Sequence, residues 1–260
     1  MFQHDSWDQT KLISWTLENL PLTYPPGQHW AYSNFGYCLL GRVIEQISGQ
    51  SYNDYVQVNI LAPCGISGVS IAENSMKHRA SDEVIYYGQY GEDPYKMNVT
   101  RMDSNGGWIA TPSNLVQFLD HLGWQNIPSV LKPETLRMMF TPSPAYPQSS
   151  DAKYARGWMV RNNGTGSRWH NGSMPGSTTI MVQTGTGLCW AALANTRTQP
   201  HVEIDAAMDK LIWDMVRSVP AWNAQRAILG GTHPEMDDSP LNLRRSLAYN
   251  SKTAAERNRT

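Results

Sequence analysis

The 260-residue sequence is poor in features that would place it quickly. It holds three cysteines, Cys38, Cys64 and Cys189, an odd number in apolar settings. A disulfide framework is therefore not expected, and buried free thiols are. The seven histidines are scattered, with no HExxH or similar spacing, so no metal site is expected and no cofactor motif is present. There is no excess of either charge: 21 Lys and Arg against 22 Asp and Glu give a net charge of −1. No basic stripe supports a nucleic-acid or anionic-membrane partner. No apolar run approaches the length of a membrane span. The opening MFQHDSWDQTK lacks the charged start and apolar centre of a signal peptide, and no compartment is assigned from it. Ten Trp residues are a rich supply, suited equally to a core and to a cleft wall.

What is present centres on residues 25–49, PPGQHWAYSNFGYCLLGRVIEQISG. A Pro-Pro-Gly turn leads into Tyr32-Ser33-Asn34, and an amphipathic helix follows. Side chains two apart on extended backbone point the same way, so Tyr32 and Asn34 are expected to face one cleft and Ser33 to look away. Alternatively, the three residues are simply a helix N-terminus, since Ser and Asn are good caps. Leu39, Leu40, Val43, Ile44 and Ile47 predict one buried stripe, and Gly49 suits a left-handed cap.

Along the chain, periodicity predicts a short helix over 8–19 and a helix after Ser51 that stops near Pro63. Residues 73–105 are irregular and polar, read as part of a cleft wall. Asn105-Gly106-Gly107 is a turn. Thr111-Pro112 opens a helix, Pro133 another, and 141–153 is a loop. Four strands follow, at 157–161, 167–170, 178–184 and 188–194, with Gly185-Thr186-Gly187 as a tight hairpin. Four short strands in succession suggest an antiparallel meander. A helix over 203–217 places Ile204, Ala207, Met208, Leu211, Ile212, Met215 and Val216 on one side and is expected to cover the sheet. Residues 1–221 are expected to form one domain, and the polar stretch 222–260 a disordered tail.

The second informative stretch is SRWHNGSMPGST, residues 167–178. It ends a strand with His170-Asn171-Gly172-Ser173. Gly172 permits close approach, and Ser173 has a backbone N–H to offer. Taken alone, this is a hairpin loop with an incidental His.

Together the two stretches resemble the serine β-lactamase and penicillin-binding-protein family, in particular class C β-lactamases and the related esterases and D-amino-acid peptidases. Tyr32-Ser33-Asn34 matches the Tyr-x-Asn motif, and His170-Asn171-Gly172 matches the Lys-Thr-Gly or His-x-Gly motif. SNGGWIATPSNLVQFL and the hairpin ending LANTR are similar as well. The resemblance runs from about residue 8 to residue 217. It implies an α+β fold in which helices flank an antiparallel sheet beside a helical region, with the site between them. It also implies acyl-enzyme hydrolysis of esters, D-amino-acid peptides or β-lactams, with a small molecule or peptide as partner. By resemblance, Tyr32 is the proton shuttle and Asn34 holds the catalytic Lys and the substrate amide. Ser173 gives one oxyanion N–H, and His170 contacts the leaving side or carboxylate of the substrate. Full-length members are often periplasmic or secreted.

The departure is the nucleophile, the Ser of Ser-x-x-Lys, which in the family precedes Tyr-x-Asn. Nothing ahead of Tyr32 matches. Ser129-Val130-Leu131-Lys132 and Ser150-Asp151-Ala152-Lys153 come later and are read as chance matches. The expectation is an N-terminally truncated domain with no nucleophile in this chain, hydrolysing poorly or not at all. Ser33 is the nearest other hydroxyl. The alternative is a binding protein that keeps the cleft for a peptide or cell-wall fragment. Uncovered apolar surface would favour self-association.

Overall fold

Ser33 lies in extended backbone, and its hydroxyl accepts from Gly36 N–H at 2.9 Å. That cap starts helix α2, Asn34–Ser48, which Gly49 closes in the left-handed conformation at φ 68°. The computed structural model describes residues 4–123, 127–147, 149–198 and 202–219. The expected tail at 222–260 lies outside the described residues.

Helix α1, Gln9–Asn19, is capped by Asp8 and anchored by Gln9, whose amide donates to Arg101 O and Asp103 Oδ1, both at 3.0 Å. Asp103 also pairs with Arg42 of α2, tying both helices to one carboxylate. Ser51 caps α3, Tyr52–Val56, which runs on as a π turn over Gln57–Leu61. Leu61, Cys64, Ile66 and Val69 then pack together. A short sheet pairs β1, Ser70–Ile71, with β2, Trp108–Ile109, and neither strand was predicted. Between them, 73–105 is mostly irregular, as expected. Helix α4, Pro112–Asp120, begins with a reciprocal cap between Thr111 and Asn114, and α5 is Pro133–Phe140.

A five-stranded antiparallel meander follows: β3 (Ala152–Tyr154), β4 (Met159–Arg161), β5 (Arg168–Met174), β6 (Ser177–Gln183) and β7 (Cys189–Ala194). The sequence predicts four of these. The fifth, β3, begins inside the stretch read as a loop: Ala152 and Lys153 pair with Arg161 and Val160. Helix α6, Val202–Ser218, lies on one face, where Trp213 meets Trp190 at 4.8 Å between ring centroids, edge to face. Trp169, Ile180, Val182 and Val216 complete that core. On the other face, Leu119 of α4, Leu122 in the turn after it and Leu136 of α5 pack with Trp158.

Two expected faces are corrected. On α2, Leu40, Val43 and Ile47 are 54%, 49% and 82% exposed, while Cys38 and Gly41 are buried. The packed side of this helix is set by polar contacts and close approach. Arg42 reaches Asp103 and Glu45, Glu45 accepts from Tyr52 N–H at 2.9 Å, and Ser104 fills the space a side chain at position 41 would need. On α6, the buried line is Asp209, Trp213 and Val216, while Leu211 and Met215 are about 60% exposed. The indole of Trp213, absent from the predicted stripe, rotates the covered face toward itself.

Candidate active site

The N-cap geometry at Ser33 orients its neighbours. Ser33 turns its hydroxyl to the helix, and Tyr32 and Asn34 line a cavity of about 870 Å³. The same cavity is lined by His170, Asn171, Gly172 and Ser173 of β5. Glu83, Tyr86 and Asn105, distant along the chain from both motifs, line it too. The two sequence motifs, far apart along the chain, therefore meet at one opening.

The β5–β6 register explains what β5 presents. The two-residue turn Pro175-Gly176 makes Met174 and Ser177 a paired position, and hydrogen-bonded pairs then alternate back along the strand. Ser173 faces Thr178 at a non-bonded position, so its N–H turns away from β6. Strand β4 pairs with β5 only at Arg168 and Trp169, so that side of β5 is open beside Ser173. Gly172 is required by its neighbour, because a Cβ there would lie 2.7 Å from Thr179 Oγ1.

Tyr32 and His170 do not touch. Tyr154 stands between them, with ring centroids 5.7 Å from Tyr32 and 6.0 Å from His170, both edge to face. The Tyr154 hydroxyl is 3.0 Å from His170 Nε2. Tyr154 was missed because its strand is three residues long and follows a Pro- and Ser-rich loop. The alternation of Ala152 and Tyr154 on one side of Lys153 is the signal that could have found it.

Burial, and then Tyr37, raise the Tyr32 phenol above its ordinary value, so it is neutral at pH 7. Burial lowers His170, partly offset by a hydrogen bond to the Asn171 backbone, so the imidazole is neutral as well. Tyr154 is pushed far up by burial, with Tyr37 and Tyr32 adding to it. A folded-state phenol raised in this way contributes stability that is fully present below the unfolded value of about 10 and is lost as pH rises through the folded value. Denaturant unfolding at pH 8 and pH 11 is expected to show a clear loss of stability at the higher pH, smaller in Tyr154→Phe. An equal loss in both proteins would remove Tyr154 as a cause.

Among the described lining residues are the carboxylates Glu73, Asp82 and Glu83, and no Lys or Arg. Glu83 is buried and accepts from Ala80 N–H at 3.0 Å; Arg79, outside the lining, donates to Ala80 O. Neither later Ser-x-x-Lys string reaches the cavity: Ser129 caps Leu131 N–H, Lys132 precedes α5, and Ser150 and Lys153 are not in the lining. Among the described residues, no three His, Cys, Asp or Glu are placed to hold a metal ion, and no helix is long and apolar enough to cross a membrane.

An antiparallel sheet flanked by helices, with a Tyr-x-Asn turn and a His-x-Gly strand at one cavity, defines a fold of the beta-lactamase and penicillin-binding-protein type. The chain belongs to the beta-lactamase family, whose family model matches residues 4–212. It is 32% identical over 166 residues to the human mitochondrial serine beta-lactamase-like protein LACTB, a match covering 55% of this chain and 29% of that protein. It is 25% identical over 181 residues to penicillin-binding protein 4* of Bacillus subtilis (strain 168), covering 64% of this chain and 39% of that one. A D-amino acid amidase from Ochrobactrum anthropi SV3 shares the fold with a TM-score of 0.58 at 23% identity, over 75% of this chain and 58% of that structure. The chain thus spans less than half the length of the curated relatives it matches.

Proposed function

We propose that this chain carries the Tyr-x-Asn and His-x-Gly half of a serine hydrolase site that works through an acyl-enzyme on D-amino-acid amides, peptides or esters. The observation that carries the reading is the meeting of Tyr32, Asn34 and the open N–H side of β5 at Ser173 around one cavity. The attacking Ser and its Lys come from a Ser-x-x-Lys segment outside this sequence. Asn34 holds the Lys ammonium beside Tyr32, and that cation favours the phenolate that burial alone disfavours. As the Ser Oγ–C bond forms, its proton passes to the Tyr32 oxygen, and Ser173 N–H donates to the oxyanion. The same proton then goes to the leaving nitrogen or oxygen as its bond to the acyl carbon breaks. Water repeats the sequence to release the acid.

The charge of the cavity supports a substrate preference. With His170 neutral and carboxylates at 73, 82 and 83, a substrate carboxylate gains no ion pair from the described lining, whereas an ammonium does. Once joined to a Ser-x-x-Lys segment, the protein is expected to hydrolyse D-phenylalanine amide with kcat/KM about tenfold or more above an N-acyl-D-alanyl-D-alanine, one favourable charge contact being worth about that ratio. The reverse order would reject the preference. A second reading, a cleft that binds without reacting, is favoured by the absence of any Ser-x-x-Lys string from the described lining. It predicts saturable peptide binding and no adduct by intact mass after fluorophosphonate treatment of the joined protein.

A further inference from the structure

Three Asn-Gly pairs occur in this chain: Asn105-Gly106, Asn163-Gly164 and Asn171-Gly172. In such a pair the glycine nitrogen can attack the side-chain amide carbon of the asparagine and close a five-membered ring. Glycine suits the attack because it turns freely and has no side chain to crowd it. The fold treats the three pairs differently.

Asn171 and Gly172 lie in β5, opposite Ile180 and Thr179. Counting back from the Met174–Ser177 pair, Gly172 falls at a hydrogen-bonded position, so its N–H is held by Thr179. That nitrogen cannot turn onto the Asn171 side chain without breaking the ladder. Asn105 borders the cavity, yet both polar atoms of its side chain are closed off from water, which the ring needs in order to open. The turn there has no slack: a Cβ at Gly107 would lie 2.6 Å from Val99 O. Asn163 and Gly164 are exposed at the β4–β5 hairpin, with open space around Gly164 at φ 81°. Thr165 donates to Asn163 Oδ1 from its backbone N–H at 3.1 Å and from its hydroxyl at 2.8 Å. A bond from the N–H two residues on folds the carboxamide back over the intervening Gly164 peptide. The Thr165 carbonyl packs against Gly185 so closely that a Cβ there would sit 1.5 Å away, so the two donors are held in place.

We propose that Asn163 is a site of self-modification that converts to isoaspartate and aspartate. The Gly164 nitrogen bonds to Asn163 Cγ, and the negative charge that develops on Oδ1 is met by the two Thr165 donors. The Cγ–Nδ2 bond then breaks, and Nδ2 leaves as ammonia with the proton that Gly164 N gave up. Water adds to either carbonyl of the cyclic imide, and ring opening gives isoaspartate or aspartate. Nothing is oxidised or reduced, and water is the one co-reactant. The product adds a carboxylate and, as isoaspartate, one more backbone bond to a hairpin whose strands pair only at Met159–Trp169 and Val160–Arg168. Strand β4 also carries β3 and Tyr154, so the change is expected to loosen that edge of the cavity.

The test is to hold the full chain in mildly alkaline buffer and follow the three Asn-Gly peptides by mass spectrometry, with enzymatic methylation of isoaspartate as a second readout. The expected result is conversion at Asn163 well ahead of Asn105 and Asn171 while the chain is folded, and similar rates at all three in denaturant. Thr165→Val keeps the backbone donor and removes the hydroxyl. It should slow conversion of Asn163 by about fivefold, the rate equivalent of one ordinary hydrogen bond. Asn105 or Asn171 converting as fast as Asn163 in the folded chain would overturn the proposal, as would an Asn163 that stays intact. An unchanged rate in Thr165→Val would overturn the role given to its hydroxyl. Should Thr165→Val fail to fold, the comparison of folded and denatured wild type still decides the site. Nothing in this chemistry depends on a nucleophilic serine, so a failed hydrolase reading leaves it standing.

Discussion

Joining this chain to a Ser-x-x-Lys segment is expected to raise hydrolysis of D-amino-acid amides and esters by on the order of a millionfold over the chain alone. The size follows from what the described cavity holds. Tyr32 is neutral at pH 7 because burial opposes the phenolate, so it has no means of taking a proton until a cation is brought beside it. Ser33, the nearest hydroxyl in sequence, is committed as a helix cap, accepting from Gly36 N–H at 2.9 Å. His170 Nε2 is engaged by Tyr154 and cannot serve a nucleophile at the same time. The one oxyanion donor proposed here, at Ser173, would be worth roughly a hundred- to a thousandfold, but only when an acyl carbon is under attack. Because nucleophile, Lys and second oxyanion donor act as a unit, restoring them together should recover activity far more than additively. Initial rates on a p-nitroanilide or p-nitrophenyl ester measure this, and Ser→Ala in the added motif is the control. Equal rates with and without the segment would reject the hydrolase reading.

The parts of this site that were legible in the sequence are those fixed by local chemistry. The cap at Ser33, the glycine after Ser48 and the two-residue alternation around it were enough to aim Tyr32 and Asn34 at one space. The sequence marked the strand that carries His170 but ended it there; the turn at Pro175-Gly176 and the full β6 partner carry it on through Ser173 to Met174. What was not legible depends on partners. The apolar stripe of α2 is real as a pattern, but periodicity names a face and not what lies against it, and the Arg42–Asp103 pair and Gly41 decide that another face is packed. The same holds for α6, where Trp213 is buried against Trp190 while Leu211 and Met215 of the predicted stripe are exposed. Tyr154 was hidden for a third reason. A three-residue strand carries too little alternation to stand out, and its importance comes from a contact 16 positions away, to His170.

Tyr32→Phe, made in the joined protein, is expected to lower kcat/KM by about a hundred- to ten-thousandfold, the usual loss when a positioned proton carrier is removed. The substitution is mild for the fold. Tyr32 is 36% exposed, and phenylalanine keeps the edge-to-face contact with Tyr154. The loss should therefore fall on kcat, with KM nearly unchanged, because the hydroxyl handles a proton that moves only in the transition state. The pH profile carries the sign. In the wild type, the activity limb that rises with pH reports the phenol losing its proton beside the Lys cation, and that limb should disappear in Tyr32→Phe. A raised KM with kcat intact would instead make Tyr32 a binding group. An unchanged kcat/KM would mean that the proton leaves the serine by another route, and of the groups at this cavity His170 could offer one only by first releasing Tyr154.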